Sequence, residues 1–78
     1  EANRKAVEKN EIGAPLMGRL SSVLVAPGSR VEKDSPIFVI EAMKMETTIT
    51  APVDGEVKAV HLAEGTLVGQ GDLVVELA

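Results

Sequence analysis

The chain repeats itself. Shifted by 37 positions, I12-G-A-P-L-M-G18 lies over I49-T-A-P-V-D-G55, and Val23, Ala26, Gly28 and Val31 lie over Val60, Ala63, Gly65 and Val68. Eight of the twenty positions from 12 to 31 are identical. After a one-residue deletion, P36-I-F-V-I-E-A42 lies over D72-L-V-V-E-L-A78. Each copy is too small to bury its own apolar face, so the two must pack together and share one core. Internal pseudo-twofold symmetry is the expected result.

Each copy reads as strands. Val, Ile, Leu and Thr dominate, broken by Gly and Pro every eight to twelve residues, the pattern of an all-β sandwich or barrel. Leu73, Val75 and Leu77 alternate and are expected to face one way. In both copies the alternation slips at one place, Leu20 to Val23 and Val57 to Val60, where a β-bulge or bend would restore the inward face. A26-P-G-S29 and A63-E-G-T66 read as equivalent turns whose glycines are free to take positive φ. Gly18 and Gly55 are also assigned structural roles, in turns or at close backbone approaches. The expected product is a flattened all-β sandwich of about eight short strands.

Composition narrows what such a scaffold can do. The 78 residues include one Phe, one His and no Cys, Trp or Tyr. The core must be aliphatic and small, since a chain of this length hides only about 60% of its unfolded surface. Disulfides and thiolate metal sites are excluded, and the equipment of a self-contained hydrolase is missing. His61, between Val60 and Leu62, is assigned no role. Residues 12–78 hold nine acidic and five basic side chains, which accounts for the whole net charge of -4. That sign argues against nucleic acid and against an anionic membrane surface. No apolar run approaches the roughly 18–20 residues of a membrane span, and no signal-peptide pattern opens the chain. Residues 1–11, EANRKAVEKNE, carry three basic and three acidic side chains and read as a flexible linker from a preceding domain, reaching about 35 Å at most. A chain opening on Glu1 reads as a fragment or a processed product.

Two repeats joined in sequence leave one connection between them, and here it is E41-A-M-K-M-E46. Strand-forming residues flank it, Ile37–Ile40 before and Thr47–Thr50 after, so it is expected to be a hairpin tip with Lys44 projecting into solvent. The repeat's midpoint places Lys44 near the pseudo-symmetry axis. Strand alternation would set Met43 and Met45 on one side and Lys44 on the other, unless the turn distorts it. No glycine is available, so the turn must use ordinary dihedrals or strain. A lysine between two flexible apolar side chains, in a chain without catalytic equipment, looks like an attachment point. Its free amine is a poor nucleophile at neutral pH, so a separate enzyme must bring an activated acyl donor.

The segment E41-A-M-K-M-E46 matches the Ala-Met-Lys-Met signature of biotinyl domains, the carboxyl carrier modules of biotin-dependent carboxylases, and the duplicated A-P-x-x-G elements at 14–18 and 51–55 strengthen the resemblance. It covers essentially all of 12–78. The resemblance implies a flattened barrel-sandwich of two four-stranded antiparallel sheets. It implies that biotin is attached covalently to Lys44 by a biotin protein ligase, with Met43 and Met45 affecting recognition and reactivity. Ala42 belongs to the signature; Glu41 and Glu46 flank it as recognition elements or as ordinary hairpin charges. The resemblance also implies partner biotin carboxylase and carboxyltransferase domains, which load the carboxyl group at the expense of ATP and pass it on. The parent enzyme would be a homo-oligomer and the isolated domain a monomer, in the cytoplasm or, in a eukaryote, the mitochondrial matrix. The E11-I-G-A-P-L-M-G18 opening and the short 26–29 turn resemble most the C-terminal carrier domain of pyruvate carboxylases, with Leu16-Met17-Gly18 where the family often has Met-Pro-Gly. Carriers of acyl-CoA carboxylases, oxaloacetate decarboxylase or transcarboxylase are the alternatives. Lipoyl carriers, which typically have Asp-Lys-Ala, and an unmodified all-β interaction module stand further off.

Overall fold

The structure is a computed structural model that describes residues 5–7 and 10–78. Eight strands run in chain order: β1 Glu11–Gly13, β2 Gly18–Val23, β3 Arg30–Val31, β4 Pro36–Ala42, β5 Met45–Thr50, β6 Gly55–Val60, β7 Leu67–Val68 and β8 Leu73–Leu77. They form two four-stranded sheets, β1-β8-β6-β3 and β5-β4-β2-β7, in which every neighbouring pair is antiparallel. The body is flat, 30 × 25 × 17 Å.

The repeat explains this topology strand by strand. Each copy lends its short third strand to the other copy's sheet: Arg30 pairs with Glu56 and Val31 with Gly55, while Leu67 pairs with Arg19 and Val68 with Gly18. Adding 37 to one set of pairs yields the other. Neither half can complete its sheet alone, which is the mutual burial that the duplication demands. The turns repeat as well. Gly28 and Gly65 both sit at φ +92, and their N–H groups donate to Val57 O and Leu20 O at 2.8 and 2.7 Å. The buried Ala14 and Ala51 accept from Gly71 N–H and Asp34 N–H at 2.7 and 2.8 Å, both of which have positive φ.

That register removes the one-residue deletion expected before Pro36. Leu24 N–H donates to Ile37 O and His61 N–H to Val74 O, each at 2.8 Å, so Ile37 is equivalent to Val74 and the shift stays at 37 to the end of the chain. Runs of interchangeable aliphatic residues leave such an alignment ambiguous, whereas backbone pairing does not. The uninterrupted shift also moves Lys44 off the axis. Glu41 beside Arg19 becomes equivalent to Ala78 beside Glu56, so the hairpin and the carboxyl terminus occupy matching places in the two halves.

Bulges come in matched pairs. Ser21 and Lys58 are the extra residues opposite β4 and β8, at the two slips in alternation. Ile37 and Val74 are extra opposite β5 and β1. An extra residue breaks the period of two. Leu73, Val74 and Val75 are accordingly all buried, rather than Leu73, Val75 and Leu77 alone. The core consists of equivalent pairs, Leu20 with Val57, Ile37 with Val74, Phe38 with Val75 and Ile40 with Leu77, all inaccessible or nearly so. Burying each such side chain contributes about 1.5–3 kcal/mol.

Of the residues expected as linker, 1–4, 8 and 9 lie outside the described residues. Among the rest, Ala6 N–H donates to Gly71 O at 2.8 Å, Lys5 pairs with the buried Asp72, and Leu77 N–H donates to Asn10 O at 2.7 Å.

His61 lies just beyond β6, where its Nε2 is 3.0 Å from Glu76 Oε1. This hydrogen bond holds the Glu76 carboxyl below its usual range; partial desolvation opposes the shift and Lys58 adds to it. Folding therefore favours the ionised form. The resulting stability is complete above the ordinary glutamate value of about 4.3 and drains away as pH falls through the lower folded value. Thermal melts across the acid range are expected to show Glu76→Gln with a shallower loss of stability below about pH 4.3 than the unaltered chain. Identical acid limbs would contradict the assignment.

Candidate functional site

The longest ladder in the fold carries the hairpin. β4 and β5 pair from Pro36↔Thr50 to Glu41↔Glu46 and Ala42↔Met45, leaving Met43 and Lys44 as a two-residue turn. Two-residue turns match the right-handed twist of the flanking strands in the primed types, and type I′ needs positive φ at both central residues. Met43 is at φ 52 and Lys44 at φ 66. The cost for a residue with a Cβ is about 1–2 kcal/mol each, so the ladder below holds a strained tip in place. Of the two options open to a glycine-free turn, the chain takes strain. Strand alternation consequently stops at Ala42 and resumes at Met45.

The six residues Glu41, Ala42, Met43, Lys44, Met45 and Glu46 all lie on this one hairpin. Met43 is 95% exposed and Met45 71%. Lys44 is exposed at the apex, and among the described residues no hydrogen bond or ion pair engages its ammonium. Glu41 and Glu46 face one another across the ladder, and each has a partner on β2. Arg19 pairs with Glu41, and Ser21 Oγ, on the bulge, lies 3.4 Å from Glu46 Oε2. Glu41 in turn raises the Arg19 pKa through their hydrogen bond and charge.

β2 and β7 add residues that local sequence gave no reason to choose. Beside the hairpin lies an open groove of about 620 Å³, bordered by Met17, Leu67, Ala42 and Met43 with Arg19 and Glu41. Beneath it, a Cβ on Gly18 would come within 2.5 Å of Glu41 O and 2.9 Å of Ile40 Cγ2. Gly18 was legible as a structural glycine through the repeated A-P-x-x-G element. Arg19 and Leu67 carry no such mark, because only the exchange of third strands brings 67 beside 19. Among the described residues no group of three or more His, Asp or Glu side chains could hold a metal ion.

This arrangement suits a group attached from outside, since Lys44 is exposed, its backbone is held by six registered pairs, and among the described residues none engages its amine. Comparison with known proteins agrees. The family model described as "Biotin-requiring enzyme" matches residues 10–77. The solved structure of Kluyveromyces lactis urea carboxylase superposes on the whole chain with a TM-score of 0.84 at 27% identity, using 7% of that protein. The lipoyl domain of the Azotobacter vinelandii 2-oxoglutarate dehydrogenase complex superposes on 87% of the chain with a TM-score of 0.74 at 28% identity, using 94% of that domain. Fold and hairpin thus define the biotinyl and lipoyl class of carrier sandwich. Pyruvate carboxylase 1 of Caenorhabditis elegans is 45% identical over 88% of the chain, and the mitochondrial propionyl-CoA carboxylase alpha chain of Homo sapiens is 42% identical over 99% of it. The chain spans only 6% and 11% of those two relatives. It belongs to the biotin-requiring enzyme family and is a carrier domain of it.

Proposed function

We propose that Lys44 carries biotin through an amide and that the domain moves it between a biotin carboxylase site and a carboxyltransferase site of one parent enzyme. The observation that most supports this is the unengaged Lys44 ammonium at the apex of a left-handed two-residue turn. Bound biotin supplies a ureido nitrogen that takes up and releases a carboxyl group. The chain's own residues present and position. The paired β4–β5 ladder limits the arcs that the Lys44 side chain sweeps, and the exposed Met43 and Met45 offer a biotin protein ligase an apolar collar. Acylation removes the lysine charge, leaving Glu41 and Glu46 as the local charge, with Arg19 offsetting the first. Held on a tether, the carrier meets each partner site intramolecularly, at an effective concentration in the millimolar range for a short linker.

The parent is a pyruvate carboxylase, forming oxaloacetate from pyruvate in the cytoplasm or in the mitochondrial matrix of a eukaryote. The likeness to the worm enzyme supports this reading, and the coverage of the human propionyl-CoA carboxylase relative makes an acyl-CoA carboxylase the second one. Co-expression with a biotin protein ligase tests the site directly. Intact mass is expected to rise by one biotinyl group, and Lys44→Arg to abolish the gain. A chain that gains nothing, or a Lys44→Arg variant that still gains it, would sink the assignment.

A further inference from the structure

The groove beside the hairpin has a built-in comparison, because the repeat places an equivalent position in the other half. There Met17, Arg19 and Leu67 correspond to Asp54, Glu56 and Arg30, all three exposed and charged. The scaffold therefore does not require apolar side chains at these places. Yet Met17 and Leu67 are each 75% exposed, and with Met43 they place three large apolar side chains around one depression. A cluster of this kind, set on a small acidic domain, marks a binding surface. Its volume of about 620 Å³ falls within the roughly 300–1,000 Å³ of small-molecule sites.

Resting on the reading of Lys44 above, we infer that this groove is the resting seat of the biotinyl group borne by Lys44. The chemistry is complementary on both sides. Biotin's thioether ring and alkyl chain are apolar and match Met17, Leu67 and Met43. Its ureido end has one carbonyl that accepts and two N–H groups that donate. The Arg19–Glu41 pair borders the groove and offers both functions: a guanidinium has five N–H donors, and a carboxylate has several acceptor positions. Attachment also favours the seat. Met43 is the covalent neighbour of Lys44, so the arm starts at the rim and even a weak intrinsic affinity fills the groove. Weakness is required, since the same group must leave for two partner sites. In the seat the ureido end is held against the Arg19–Glu41 pair instead of standing free at the apex.

The test is NMR on the 78-residue chain prepared by chemical synthesis with Nζ-biotinyl-lysine at position 44, so that it does not depend on recognition by a ligase. Relative to the chain with unmodified Lys44, the methyl resonances of Met17 and Leu67 are expected to shift, with cross-peaks from the biotin ring protons to the Leu67 methyls. The Arg19 side-chain N–H resonances are expected to move as well. Leu67→Ser is expected to remove the Met17 shift and to speed avidin capture several-fold. A lipoyl-lysine at 44, which lacks the ureido group, should retain the methyl shifts and lose the Arg19 response. Shifts confined to 43–45 would overturn the seat, even if the ligase modifies Lys44. So would cross-peaks that depend on protein concentration, which would mean that a second copy fills the groove. An Arg19 response unchanged with lipoyl-lysine would overturn the assignment of the ureido end. Failure of ligase-dependent mass gain at Lys44 sinks the function reading on its own.

Discussion

Gly18→Ala is expected to destabilise the domain by about 1–3 kcal/mol, the usual cost of forcing extra volume into a packed interior. Gly55→Ala, at the repeat-equivalent position, is expected to be neutral or to stabilise by up to about 1 kcal/mol through the unfolded chain. Both glycines close an A-P-x-x-G element and open a six-residue strand. Their surroundings differ. A Cβ on Gly18 would lie 2.5 Å from Glu41 O, a backbone atom that cannot move without displacing β4, and 3.1 Å from Ala42 Cβ. A Cβ on Gly55 would rest 3.6 Å from Leu77 Cδ1, an ordinary contact. For a domain of this size each kcal/mol moves Tm by about 4–8 °C, so paired thermal melts separate the two variants. Equal melting temperatures would contradict the packing described. Since the crowded atoms belong to Glu41 and Ala42, the largest amide shifts in a folded Gly18→Ala chain should fall at the base of the hairpin.

Phe38→Ala is expected to cost about 3–5 kcal/mol. Total stability for 78 residues is on the order of 4–12 kcal/mol, so this one change brings the domain close to unfolding. Phe38 is the single aromatic residue of the chain and is wholly inaccessible. It stands at the crossing of the β4 ladders, paired with Val23 on one side and Ile49 on the other. Its equivalent in the second half is the smaller Val75, also wholly buried. Val75→Ala should cost distinctly less because it removes fewer buried atoms. Urea midpoints at constant slope provide the measurement, and a Phe38→Ala midpoint no lower than that of Val75→Ala would refute the argument.

How far the sequence reached can be traced through particular residues. The slips at Leu20–Val23 and Val57–Val60 located the Ser21 and Lys58 bulges, because a break in a period-two pattern on a half-buried strand has few other causes. The second pair of bulges, at Ile37 and Val74, was hidden: the immediate neighbours of each are apolar, so a slip leaves little mark in the pattern. The same uniformity produced the false deletion before Pro36. At the hairpin, six neighbouring residues sufficed to place a tight turn between the copies. The left-handed turn at Met43 and Lys44 was not legible, since its usual signal is Asn-Gly or Gly, and it is imposed here by the twist of β4 and β5.

What the sequence determined by itself is the duplication and the lysine between its copies. Both are properties of order along the chain, and apolar halves of that size have no stable arrangement except on each other. What only the tertiary structure decided is the neighbourhood of that lysine. The exchange of β3 and β7 carries Leu67 to Arg19, from which 48 positions separate it in sequence. The close passage of Gly18 over Glu41 then sets both beside the hairpin. Those relations depend on which strand edges the packed halves leave open to one another, and no local run of residues encodes that.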